Sequence, residues 1–376
     1  MWASKNIVGG VLLLVLAGAA WWLLAPGAGQ VTEDAYVDGN VVQVTPQQNG
    51  SVTAIGADNT EYVSAGQVLV QLNPVDAELA LARAEAQLSR AVRAVRAQFA
   101  NASQGRANIV LRSADLARAQ ADLRRRSQLA SSGAVSGEDI SHAEDAVRSA
   151  RAALQVAEQQ ALSASALTDH TSVASHPDVL AAVSQLRDAY VASARTVLRA
   201  PVSGIVTKRN VQLGQRVNAG TALMSIVPLE QVWVNANFKE SQLGAIRIGQ
   251  PVSLSADVYG KAVHYHGHVI GTDAGTGSAF ALLPAQNATG NWIKVVQRVP
   301  VRIALDAAEL AANPLKVGLS MHVQVDTSAR DGKRVMDTAS TRQPEQTAVF
   351  AAELAQADQL VARVISASLG GTTRAN

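Results

Sequence analysis

From Leu81 onward apolar residues return at every seventh position, at Leu81, Leu88, Val95, Ala102, Ile109, Leu116, Leu123 and Ala130, with Ala84, Ala91 and Ala119 three residues further on. A period of seven held for that long predicts a coiled-coil seam. Ser131, Ser132 and Gly133 interrupt it, and a second seam follows, with Ile140, Val147, Leu154 and Ala161 at one position and Ala143, Ala150, Ala157 and Ala164 at the other. Two seams joined by a short loop predict an antiparallel helical hairpin, on the order of 75 Å long if the first seam is helical throughout. Alanine lets the axes approach closely but buries little, so a stiff, slender rod of modest stability is expected. The register is lost around Thr168 to Asp178, and a shifted pattern of Val183, Leu186, Tyr190 and Val197 resumes beyond it. Asn101 to Asn108, with Gly105 inside, is a second soft spot at a similar distance from the base. A bend or hinge is expected there, with a loop insertion as the alternative.

The hairpin interrupts a segment that is written twice. Gly50, Val52, Thr53, Val63, Ala65, Gly66, Leu69 and Pro74 recur without gaps as Gly204, Val206, Thr207, Val217, Ala219, Gly220, Leu223 and Pro228, each pair 154 positions apart. Each copy reads as two short strands around a V-x-A-G turn. A lone hairpin of that size is not stable, so the two copies are expected to pack as one β sandwich, forcing the helical residues out between them.

Beyond Pro228 the period falls to two, at Val232, Val234, Ala236 and Phe238; at Val252, Leu254, Ala256 and Val258; at Val301, Ile303 and Leu305; and at Leu319, Met321, Val323 and Val325. Half-buried strands punctuated by Gly and Pro predict a small β-barrel or sandwich. Residues 31–47 have similar character and are expected to add a strand to it. Near the front, Ile7 to Leu24 carries no charge and ends at Trp21, Trp22 and Pro26. As a helix it would span about 27 Å, close to the hydrocarbon thickness, with the two tryptophans as an interfacial belt. Lys5 precedes it and Glu33, Asp34 and Asp38 follow, so the positive-inside rule places a short N-terminus in the cytoplasm and the bulk outside. A cleaved signal peptide is the competing reading; the long apolar run favours an uncleaved anchor, and either way the chain is exported.

Composition narrows the function. The 376 residues suffice for two or three domains, the net charge of +2 leaves no nucleic-acid footprint, and the absence of cysteine excludes thiolate metal sites and disulfides. Abundant alanine and scarce aromatics suit thin helices better than a large core.

A strand hairpin, a helical excursion and a matching strand hairpin resemble the arrangement of HlyD-like membrane fusion proteins, the periplasmic adaptors of export systems. Five stretches carry a closer resemblance to the EmrA-type multidrug efflux adaptors. They are Thr32 to Gly39 after the anchor, Ala200-Pro-Val-Ser-Gly204, Val234 to Glu240, Ile248 to Val252, and the long run Gly275 to Arg298. The last is the most specific, and the match covers about residues 5 to 330. The resemblance implies a mixed α and β, elongated fold: a transmembrane helix, a lipoyl-like sandwich built from two sequence-distant halves, an antiparallel coiled-coil hairpin and a β-barrel. The boundaries expected are a cytoplasmic N-terminus at 1–6, an anchor at 7–24, a barrel strand within 31–47, sandwich halves at 48–74 and 200–228, a hairpin at 75–199 with its tip near 130–137, a barrel at 229–328 and a tail at 329–376. Residues 348–369 of the tail read as a weakly amphipathic helix, either disordered or packed on a neighbour.

The resemblance also implies a function: coupling an inner-membrane, proton-driven exporter of the major-facilitator type to a TolC-like outer-membrane channel. Sandwiches side by side in a homo-oligomeric ring would seal the conduit. The family's tip pattern is similar to Arg125, Leu129 and Ser136 here, which implies that these residues dock onto the channel. The same residues also read as a solvated basic face, Arg124 to Arg126, and an ordinary N-cap, Ser136 with Asp139. A type I secretion adaptor for an ATP-driven exporter is the nearest rival, opposed by the short cytoplasmic segment and the Gly275 to Arg298 run. An exported scaffold without a transport role is the other.

Catalytic and cofactor chemistry find no candidate. A biotin or lipoate carrier would need a lysine on the turn between its halves, and none occurs between Lys5 and Lys208. His264, His266 and His268 alternate along an expected strand at a spacing compatible with metal, but nothing completes a site. Gly275-x-Gly-x-x-Phe lacks the lysine and the βαβ context of a phosphate loop. Asn287-Ala-Thr289 is a formal sequon expected to be loop. No nucleophile, base and orienting group occur together, so no enzyme is expected.

Overall fold

A computed structural model describes residues 29–130, 133–280, 296–334 and 346–370. The expected anchor at 7–24 with Trp21 and Trp22, the sequon and most of the Gly275 to Arg298 run lie outside the described residues. Among the described residues no helix is long and apolar enough to cross a membrane. In chain order the elements are β1 (Gly29–Thr32), β2 (Ala35–Asp38), β3 (Val42–Val44), β4 (Gly50–Ile55), β5 (Tyr62–Val63), β6 (Val68–Leu72), α1 (Val75–Ala130), α2 (Gly137–Ser165), α3 (Pro177–Ala194), β7 (Val197–Arg199), β8 (Gly204–Thr207), β9 (Arg216–Val217) and β10 (Met224–Val227). There follow β11 (Trp233–Lys239), α4 (Glu240–Leu243), β12 (Pro251–Ala256), β13 (Tyr265–Thr272), β14 (Arg298–Leu305), α5 (Ala307–Ala312), β15 (Met321–Asp326) and α6 (Ala352–Ser368).

The doubled segment forms two four-stranded sheets, ordered β3-β10-β8-β5 and β7-β6-β4-β9. Each copy contributes three strands rather than two and lends its middle one away: β5 of the first copy pairs with β8, and β9 of the second pairs with β4. The flanking strands obey the same offset, since β3 pairs with β10 as β7 pairs with β6. Neither copy can therefore complete a sheet alone. Side chains from both fill one core, including Val52, Val63, Leu69 and Leu72 from the first and Val206, Val217, Leu223 and Ile226 from the second. The turn glycines repeat too, Gly66 at φ +84° and Gly220 at φ +82°, a left-handed geometry that costs a residue with a β-carbon. At Gly204 the limit is space, because a β-carbon would sit 2.5 Å from the Val227 carbonyl oxygen.

Between the copies, α1 runs for 56 residues without a break, about 84 Å at the helical rise. Leu88, Val95 and Ala102 of its predicted seam are buried, as are Ala143, Val147, Ala157 and Ala161 of α2. Gly105 is not a weak point of the outgoing leg, contrary to expectation: the helix continues through Asn101 to Asn108. A β-carbon there would lie 3.1 Å from Ala161 Cα, so the glycine lets the two legs approach closely. On the return leg the helix does stop between α2 and α3. Thr168 and Thr171 turn their hydroxyls onto carbonyls at 165 and 168, His170 adopts φ +58°, and His176 caps α3 ahead of Pro177. Buried His176 is further held by a 3.0 Å hydrogen bond between its Nε2 and the Leu167 carbonyl.

The remaining strands form a seven-stranded sheet ordered β1-β15-β12-β13-β14-β11-β2. It curls until β2 meets the start of β15, where Val37 N–H donates to Leu319 O (2.9 Å), Gly318 N–H donates to Val37 O (2.7 Å) and Tyr36 bridges to Ser320. Phe238, Tyr265, Ile303, Met321 and their neighbours fill the interior. The strand expected within 31–47 is divided: β1 and β2 belong to the barrel, whereas β3 turns away after Gly39 and buries Val44 in the sandwich. Val258, expected on a strand, lies in a 3-10 turn and is exposed, so the alternation ends at Ala256. The tail is neither disordered over its helix nor left to a neighbour, because α6 packs on α1 and α3 of its own chain.

Candidate functional site

The end of the hairpin is built from the last turns of α1 and the first turn of α2. Arg125 and Leu129 are four apart and so share a face of α1. Arg125 is 71% exposed and Leu129 51% exposed, so a cation and an apolar side chain stand together in solvent. Asp122, one turn back, accepts from Arg125 Nη2 at 3.0 Å and from Arg126 Nε at 2.9 Å. The two guanidinium groups hold the Asp122 carboxyl below the usual carboxylate range, keeping it charged and the arginines oriented.

Ser136 does something else. Its hydroxyl donates to Asp139 Oδ2 at 2.6 Å and accepts from the Asp139 N–H at 3.1 Å, while the Ser136 N–H reaches the same carboxylate at 3.3 Å. That reciprocal pair is a capping box, which stops the second helix from fraying at its first turn. The Ser136 hydroxyl and N–H lower the Asp139 carboxyl below its ordinary value. Arg126 Nη1 lies 3.9 Å from Asp139 Oδ1 and links the two legs across the tip. The structure thus brings Arg125 and Leu129 onto one face and gives Ser136 a local structural task. Asp122 was missed in the sequence, although its spacing of three and four from two arginines is a readable signal.

The histidine trio separates. His264 precedes β13, and only His266 and His268 lie on it, pointing outward. His266 Nδ1 is 2.7 Å from Glu309 Oε1 on α5, which lowers the Glu309 carboxyl. Among the described residues no group of three or more His, Asp or Glu is arranged to hold a metal.

A family model described as the EmrA α-helical hairpin domain matches residues 75–196, from the first residue of α1 to just past α3. Fatty acid resistance protein FarA of Neisseria gonorrhoeae is 54% identical over 315 residues, covering 84% of this chain and 80% of its own length. Multidrug export protein EmrA of Escherichia coli K12 is 43% identical over 350 residues, covering 93% of this chain and 90% of its own. A solved periplasmic adaptor protein EmrA aligns with 79% of this chain and 98% of its own at 17% identity and a TM-score of 0.40. With the greater part of both relatives matched at these identities, the chain belongs to the EmrA-type membrane fusion proteins, adaptors of multidrug efflux pumps.

Proposed function

We propose that this chain bridges an inner-membrane exporter and an outer-membrane channel, with a single-pass anchor at residues 7–24 holding its base and the hairpin tip meeting the channel. The exporter is of the proton-driven major-facilitator type and the channel is TolC-like. Trp21 and Trp22 sit at the interface, the N-terminus stays in the cytoplasm, and the bulk lies in the periplasm. Work is done by the partner's proton gradient; this chain supplies reach and a docking face, not catalysis. The relatives' names, multidrug export and fatty acid resistance, suggest drugs or fatty acids as the cargo.

One observation carries the reading: a continuous 56-residue helix leaves the sandwich and ends in a solvent-facing Arg125 and Leu129 on a capped tip. A rod of about 84 Å carries the tip far outside the sandwich, the reach that a bridge between two membranes uses. Leu129 is the apolar centre of the contact, Arg125 its oriented cation, and Ser136 keeps the loop in shape. The test is drug susceptibility of cells lacking the chain, complemented with wild type or Leu129→Asp at equal membrane levels. Wild type restores resistance, and Leu129→Asp leaves the inhibitory concentration at least about fourfold lower. Full rescue by Leu129→Asp would remove tip docking.

A further inference from the structure

A hairpin joined to its base at two adjacent points can rock about the line through them. Here the points are Asn73 and Pro74, leading from β6 into α1, and Arg195 and Thr196, leading from α3 into β7. Leu72 N–H donates to Thr196 O at 2.8 Å, which draws the two connections into one narrow neck. An angle is fixed only by a third attachment off that line.

The C-terminal segment supplies such an attachment. It leaves the barrel alongside residues 248–250: Gln250 Nε2 donates to Ala329 O (2.7 Å), and Ile248 N–H donates to Lys333 O (2.9 Å). Gly332 lies so close to this turn that a β-carbon would stand 2.4 Å from the Ile248 carbonyl oxygen. Further on, Thr347 Oγ1 donates to Pro201 O of the sandwich at 2.8 Å. Beyond that, α6 settles on the base of the hairpin, burying Ala357 and Val361, the latter in the cluster of Leu88, Val92, Val179, Val183 and Leu186. Polar ties run along its length, with Glu353 to Arg195 at 3.2 Å, Gln356 to the Tyr190 hydroxyl at 2.9 Å, Asp358 to Arg187 at 2.6 Å, and the Ser368 carbonyl to Arg96 at 3.1 Å. Residues 347–368 therefore tie the sandwich to the base of the hairpin, and residues 329–333 lie against the barrel.

We propose that the C-terminal segment is a strap that sets the angle between hairpin and sandwich, making the direction of the rod a property of α6 rather than of the neck. The strap operates whichever partners the chain has, so its test is independent of the efflux reading. The absence of cysteine from the chain allows clean spin-labelling of a Leu213→Cys, Gln159→Cys pair in the full-length protein, one label on the sandwich and one on α2. Removing residues 347–376 broadens the distance distribution between the labels at least twofold. A distribution of unchanged width and centre overturns the proposal.

Should the shortened chain fail to fold, the full-length variant Arg187→Glu, outside the neck, carries the test. It broadens the distribution, and adding Asp358→Arg narrows it again. Broadening that the swap does not reverse, or no broadening at all, contradicts the strap. Dilution with unlabelled protein leaves a label pair on α6 and α3 unchanged; loss of its signal on dilution would put α6 on a second copy and overturn the intramolecular assignment.

Discussion

Ser136 and Asp139 illustrate how a single polar pair decides whether the far end of the rod is ordered. Replacing Ser136 by Ala removes the acceptor for the Asp139 N–H and is expected to cost about 0.5–2 kcal/mol of local helix stability. Amide protection at residues 139–141 reports that loss. The pair also makes the tip sensitive to pH. Because the folded state lowers the Asp139 carboxyl, its contribution is complete above the unfolded carboxylate value, about 3.9, and is lost as pH falls through the lowered folded value. Protection factors at the start of α2 should thus be flat from neutral pH to about 5 and decline only in stronger acid, and Asp139→Asn should abolish the decline. A decline centred near neutral pH would assign the effect to another group. Gly105 makes a contrasting case, since an added β-carbon meets Ala161 Cα at 3.1 Å. Alanine there gains about 1 kcal/mol of helix propensity but presses its β-carbon on Ala161, and the larger Gly105→Leu forces the legs apart and should destabilise the hairpin by about 1–3 kcal/mol, measured by denaturant unfolding.

At the scale of elements, stability is concentrated at the base of the rod. Leu186 and Leu88 are fully buried where α1, α3 and α6 meet, whereas further out the buried residues are mostly alanine, with Val147 the exception. Leu186→Ala should cost about 2–5 kcal/mol, while Leu116→Ala, half-buried further out, should cost less; unequal losses in urea midpoints check the gradient. Much of this was legible in advance. The seven-residue period located both seams because side-chain direction repeats with the helix, and the 154-residue repeat paired the two strand segments because identical turns need identical glycines. Three features were hidden for physical reasons. Two-residue strands such as β5 and β9 carry no periodicity, so their exchange between copies left no trace. Gly105 carries the same letter whether a helix breaks or two helices touch, and only its partner Ala161 decides between them. The position of α6 depends on an apolar face that exists only once α1 and α3 are side by side. At the tip the cap was legible too, since Ser136 with Asp139 three residues on is an N-cap spacing, and the hydroxyl of Ser136 does turn to its own helix.

The whole molecule is a sequence of three bodies threaded twice. The chain enters through β1 to β3, builds half the sandwich, travels out and back along the hairpin, completes the sandwich, closes the barrel and returns as a helix to the base of the rod. The tip lies at the far end of a rod that leaves the sandwich, the reach that the proposed bridge between two membranes uses. A photo-crosslinking residue placed at position 129 in living cells tests this most directly, with position 258 on the barrel as its counterpart. The account predicts that position 129 is captured by an outer-membrane channel protein and position 258 is not. Capture of position 129 by inner-membrane proteins alone would contradict the bridge.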